Sequence, residues 1–188
     1  RQIYSNLVQV DEHMEIVPDL AESWENPDNL TWIFHLRKGV TFHNGDPLTA
    51  AAVKFSLERI KDPATASPGA THLREVASVE AIDEHTLKIV TKRPFAPMLM
   101  SLTRYETSIV SERAVKEAGA DYGSKAAVGT GPFKFMSWSR GDKVTLEKFD
   151  GYFRGPASLD TVVYRGIPED ATRLVELESG GVELIPGN

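Results

Sequence analysis

The chain has 188 residues, 41% apolar and 26% charged, with a formal net charge of −6 and no cysteine. That length and apolar content suit one sizeable domain or two small ones, and disorder is not the default. Mild acidity, with no Lys/Arg cluster longer than a pair, argues against nucleic acid; absent thiols exclude disulfides, thiolate metal sites and a cysteine nucleophile, and no run approaches the ~18 apolar residues of a membrane span.

The first residues carry no signal-peptide pattern. Ile3, Leu7 and Val8 fall at helical spacing with no cap before them, so residues 1–10 are expected to end a helix begun in a longer protein. Leu30, Trp32, Phe34 and Leu36 alternate with polar or β-branched neighbours, predicting a strand over 30–37 with all four on one buried face. Lys38-Gly39 reads as a turn, with Val40 and Phe42 returning as the second strand of a hairpin. Asn44-Gly45-Asp46-Pro47 breaks the sheet. Thr49 is placed to cap a helix through about Ile60, with Val53, Leu57 and Ile60 on one face.

Pro63 and Pro68-Gly69 mark a loop. A second hairpin runs from Val79 and Ala81 through Asp83-Glu84-His85 to Leu87 and Ile89, and Pro94 and Pro97 end it. Met98, Leu99 and Leu102 suggest a short helix; Ser111 caps another that stops at Gly119. Residues 133–138 and 143–148 form a third hairpin around Arg140-Gly141-Asp142. Residues 159–167 then read as a strand. Asp170 caps a helix with Leu174 and Leu177 inward, and residues 182–185 close a strand–helix–strand unit with a parallel pair. The fold class is therefore mixed α+β and α/β, with a break near residues 126–131.

Three stretches together resemble the family 5 extracellular solute-binding proteins, the dipeptide, oligopeptide and nickel binders of ABC importers. The first runs from Pro18-Asp19-Leu20-Ala21-Glu22-Ser23-Trp24 through Thr31-Trp32-Ile33-Phe34-His35-Leu36-Arg37-Lys38-Gly39 to Phe42-His43-Asn44-Gly45 and Leu48-Thr49-Ala50. The second is Gly129-Thr130-Gly131-Pro132-Phe133 with Gly151-Tyr152-Phe153. The third is Ile167-Pro168, Ala171-Thr172-Arg173 and Gly181-Val182-Glu183-Leu184. The resemblance implies part of lobe I of a two-lobed periplasmic-binding-protein fold, with ligand enclosed between lobes. On that reading residues 1–10 end a core helix, 11–125 form a hairpin-rich accessory subdomain and 126–188 are a segment of the α/β core, with lobe II outside the chain. The implied protein is periplasmic or extracellular and bacterial. It takes a peptide or small-molecule ligand and works with ABC permease subunits, reaching the membrane through them or through a lipid anchor outside the chain. It implies no cofactor, metal or catalysis.

Four residues are candidate ligand contacts. Arg104 matches in register an arginine with which nickel-type members pair a ligand carboxylate, a task suited to a planar guanidinium fork; its alternative is a surface arginine or a partner of Glu106. Tyr105 could cover an apolar ligand face or belong to the core. His72 falls where some relatives place an aromatic against ligand; otherwise it is a solvent histidine. Thr130 sits in a glycine-flanked crossing between subdomains, near a hinge. That crossing lacks the Lys-Ser/Thr of a phosphate loop, and a strand rather than a helix follows it. The five histidines show no metal-ligand spacing. Two other classes remain open at this point: a hydrolase using paired carboxylates, which predicts one raised carboxyl pKa in a cleft, and the sensor domain of a solute-responsive regulator.

Overall fold

The computed structural model describes residues 2–185. In chain order the strands and helices are β1 (Val8–Val10), β2 (Ile16–Pro18), β3 (Ala21–Glu25), β4 (Thr31–Leu36), α1 (Ala50–Lys61), β5 (Val76–Ala81), β6 (Thr86–Thr91), α2 (Met98–Leu102), α3 (Glu112–Ala118), β7 (Phe133–Ser139), β8 (Lys143–Lys148), β9 (Thr161–Arg165) and α4 (Asp170–Glu178).

The main sheet is antiparallel with strand order β3-β4-β6-β5. Its register sets Trp24 opposite Phe34, Phe34 opposite Leu87, Trp32 opposite Ile89, and Ile89 opposite Val79. These residues share one face, because directly opposed residues of paired strands do. Helix α1 covers that face with Val53, Leu57 and Ile60. Thr49 caps the helix as expected, its hydroxyl accepting from the Ala52 N–H at 3.2 Å. On the opposite face lie ion pairs, His35 to Glu25 at 2.9 Å and Lys88 to Glu80 at 3.2 Å.

Phe34 and Leu36 are fully buried and Trp32 packs against the core, but Leu30 lies outside β4 and is 38% exposed. The expected return strand at Val40 and Phe42 does not form. Both edges of β4 are taken, by β3 and β6, so residues 40–42 keep only an isolated bridge between Thr41 and Pro47. The hairpin β5–β6, the short helix α2 and the Ser111-capped α3 are where the sequence places them.

The expected N-terminal helix is instead extended chain running into β1. Ser5, Asn6, Leu7 and Val8 are buried in succession, as in a strand covered on both faces. Their backbone joins distant parts of the protein. The carbonyls of Ile3, Ser5, Asn6 and Leu7 accept from Gly131, Ile109, Leu20 and Ala21 at 2.9, 3.0, 3.0 and 2.9 Å.

Strands β7, β8 and β9 form a second antiparallel sheet. The closing strand of the expected strand–helix–strand unit is absent among the described residues. The N–H groups of Gly181 and Val182 turn back to the Glu176 carbonyl, capping α4 rather than pairing with β9, and Leu184 is 82% exposed. Glu169, not Asp170, is the N-cap of α4; Asp170 pairs with Arg173 in the first turn. Leu174, expected inward, is half exposed.

Candidate ligand-binding site

Helix α2 ends at Leu102, and the chain passes through Thr103 and an extended Arg104 (φ −70°, ψ 143°) into a 3-10 turn at Tyr105–Thr107. The inner side of this turn is a web of side-chain hydrogen bonds to carbonyls. Thr107 Oγ1 donates to the Arg104 carbonyl (2.8 Å) or the Ser101 carbonyl (3.1 Å). Ser108 Oγ donates to the Tyr105 carbonyl at 2.7 Å. The outer side presents Arg104 and Tyr105 to solvent, Tyr105 at 77% exposure. Tyr105 is thus no core residue. The Arg104 guanidinium makes no ion pair among the described residues, Glu106 included.

Glu106 turns inward towards His72, its Oε1 lying 3.9 Å from Nε2. Its other oxygen is buried without a hydrogen-bond partner among the described residues. The loop carrying His72 comes this close because Gly69 packs on the turn. A Cβ there would meet the Glu106 carbonyl oxygen at 2.8 Å and its Cβ at 2.9 Å, inside contact distance. The structure therefore gathers His72, Arg104, Tyr105 and Glu106, drawn from two loops, onto one neighbourhood.

Thr130 lies elsewhere and is fully buried, its hydroxyl without a partner among the described residues. Gly129 and Gly131 flank it for lack of space rather than for unusual dihedrals. Neither has a positive φ, and a Cβ on either would overlap the backbone of residues 2–3. His43 grips the same crossing from the other side. Its Nε2 lies 2.9 Å from the Gly131 carbonyl and so donates, while Nδ1 faces the Gly129 N–H at 3.4 Å and so accepts. Only the neutral imidazole satisfies both. Burial holds His43 below the ordinary histidine pKa of 6.5; the Gly131 hydrogen bond opposes the shift and Lys134 adds to it.

The larger described cavity, about 400 Å³ between α1 and α3, contains none of the four candidates. Of its three acidic residues, Asp46 is held by Arg113 at 2.8 Å and by Asn44 and Ser111, and Glu112 by Lys116 at 2.6 Å. Every carboxylate whose pKa departs from its ordinary value is shifted down by hydrogen bonds or cations, as at Asp46, Glu75 and Asp160, the opposite of what a general acid requires. Among the described residues no three His, Asp or Glu side chains converge on a metal position, and no helix is long and apolar enough to cross a membrane.

Residues 15–188 match the family described as bacterial extracellular solute-binding proteins, family 5 middle. The chain belongs to this family. The glutathione-binding protein GsiB of Escherichia coli K12 is 34% identical over 186 residues, covering 98% of this chain and 36% of that protein. Among solved structures, the binding protein AgaA of A. tumefaciens R10, in complex with agropinic acid, superposes with a TM-score of 0.88 at 39% identity, over 96% of this chain and 37% of its own. The periplasmic binding protein DppA of Helicobacter pylori, in complex with the peptide STSA, gives 0.86 at 36% identity, over 96% and 40%. The family 5 chain thus spans a little over a third of the length of these relatives, and its mixed α/β fold is that of their binding-protein lobes.

Sequence reasoning reached the Arg104–Tyr105 turn but missed what holds it. Asn6, buried behind the turn, and His43, fastening the Gly129–Gly131 crossing, act on residues about 90 positions or more away. The one signal within the sequence was a polar pair, Ser5-Asn6, set between Ile3-Tyr4 and Leu7-Val8.

Proposed function

We propose that this chain is part of the substrate-binding component of an ABC importer for peptides or related small solutes. Ligand would be enclosed between this lobe and a second one, and closure would shift an open–closed equilibrium towards the form that docks on the permease. Residues 11–125 would form the accessory subdomain and 126–188 a segment of the lobe core. The setting would be the periplasm or cell exterior of a bacterium, with membrane contact through the permease or a lipid anchor, and no covalent chemistry is required.

The observation that carries this reading is the exposed Arg104, without an ion pair among the described residues, beside exposed Tyr105, on a turn locked from behind, in a family 5 fold. A free guanidinium fork offers two parallel hydrogen bonds to a ligand carboxylate, and Tyr105 offers an aromatic face. His72 stands at the edge of this surface. Glutathione, the peptide STSA and agropinic acid, the ligands of the three relatives, form the test panel. A ligand at a hundred times its Kd raises stability by about 2.7 kcal/mol. The full-length protein is therefore expected to melt several degrees higher with at least one of the three; an unchanged melting temperature with all three counts against the reading.

A further inference from the structure

We infer that Asn6 is the positioning residue of the ligand-side turn, an inference that rests on Arg104 and Tyr105 facing ligand. Asn6 is fully buried. Its Nδ2 lies 3.0 Å from the Leu102 carbonyl, 2.7 Å from the Arg104 carbonyl and 3.2 Å from Thr107 Oγ1. Two carbonyls facing that atom fix it as the donor nitrogen, and Oδ1 then faces the Ser108 hydroxyl at 3.2 Å. Leu102 is the last residue of α2, so its carbonyl has no partner within the helix. Arg104 is the N-cap of the following 3-10 turn. One carboxamide thus ties the end of the helix to the start of the turn and holds the backbone from which the Arg104 and Tyr105 side chains reach solvent.

The residue type follows from the geometry. Aspartate has the same shape but cannot donate, and would set a carboxylate against two carbonyls. Leucine would leave the Leu102 carbonyl without its Asn6 partner, at a cost of about 1–3 kcal/mol, and would leave the Arg104 carbonyl to Thr107 alone. Asn6 is itself anchored from behind. Its N–H donates to Asp19 Oδ2 at 2.9 Å, and Asp19 Oδ1 takes Arg154 at 2.9 Å. Asp19 is 3% exposed. A continuous polar chain therefore runs from Arg154, after β8, through Asp19 and Asn6 to the ligand-side turn. Its bonds span 135, 13 and 98 residues of sequence.

The test uses the full-length protein with Asn6→Asp, Thr107→Val and Thr107→Ser. Amide hydrogen exchange at Thr107 and Ser108 is expected to quicken about tenfold in Asn6→Asp and Thr107→Val, while amides of β4 and β6 keep their rates and Thr107→Ser, which retains the hydroxyl, behaves as wild type. Glutathione titration supplies the ligand readout. Asn6→Asp should weaken binding about tenfold, and Asn6→Asp combined with Arg104→Ala should lose less than the two single losses multiplied, because Asn6 acts through the turn that carries Arg104. Unchanged exchange at Thr107 and Ser108 in both disruptive variants, or equal quickening in β4 and β6, overturns the positioning role. An unaltered glutathione affinity in Arg104→Ala, or no binding by wild type, removes the ligand-side reading for this probe and leaves exchange to decide the role of Asn6.

Discussion

The sheet of β3–β6 with α1 and the sheet of β7–β9 with α4 are built on opposite terms. In the first, Phe34, Leu57, Leu87 and Ile89 are at most 1% exposed and belong to one continuous core. In the second, only Phe133 and Leu146 are buried, no residue of β9 or α4 is, and Leu159, Leu174 and Val175 are at least half exposed. Both are paired strand to strand throughout, each with a break in register, at Ala21–Ser23 and Val76–Ser78 in the first and at Phe135–Ser137 in the second. Backbone pairing alone therefore does not distinguish them; burial does. Each side chain fully buried in the first contributes about 1.5–3 kcal/mol. The second is held chiefly at its seams, where Gly131 and Phe133 bond residues 2–3 and Arg154 bonds Asp19. The Arg104–Tyr105 turn belongs to the first region, so its precision draws on a packed core.

Substitutions at matched sites can break that contrast. Phe34→Ala should destabilise by about 3–5 kcal/mol in denaturant unfolding, through lost transfer energy plus a cavity. At the seam, Gly131→Ala should cost about 1–3 kcal/mol, because the added methyl meets backbone that cannot yield as a side chain would. Its effect should exceed that of any single apolar truncation in α4. Leu174→Ala is expected to stay within about 0.5 kcal/mol; a loss like that of Phe34→Ala would dissolve the comparison.

A pH titration sharpens it at the seam. The folded-state pKa of His43 is depressed below the ordinary 6.5, chiefly by burial. Its contribution is therefore fully present above pH 6.5 and lost as pH falls through that value towards the folded pKa. Protonation would turn Nδ1 into a donor facing the Gly129 N–H. His43→Gln should flatten this part of the stability profile; the same slope in both proteins would show that His43 is not its source.

Local chemistry was readable where it acts locally. Thr49 and its apolar stripe at Val53, Leu57 and Ile60 define α1, and the turn at residues 83–85 defines the β5–β6 hairpin. Strand pairing was less legible. Val40 and Phe42 alternate like a strand, but nothing in their own sequence reveals that β4 has no edge left for them. Ile3, Leu7 and Val8 have helical spacing, but Ser5 and Asn6 between them are buried as well, so the segment is covered all round and carries no 3.6-residue stripe. The candidate site divides the same way. Arg104 and Tyr105 were visible as residue types, whereas Asn6, His43 and the Gly69–Glu106 contact depend on chain that returns from far away.

The most direct test of the ligand-side reading is a four-way titration of the full-length protein, wild type and Arg104→Ala, with the peptide STSA and its C-terminal amide. If Arg104 pairs with the ligand carboxylate, wild type should bind the acid about 10- to 100-fold more tightly than the amide, and Arg104→Ala should bind both alike. Equal binding of acid and amide by wild type, or an acid preference that survives in Arg104→Ala, would contradict it.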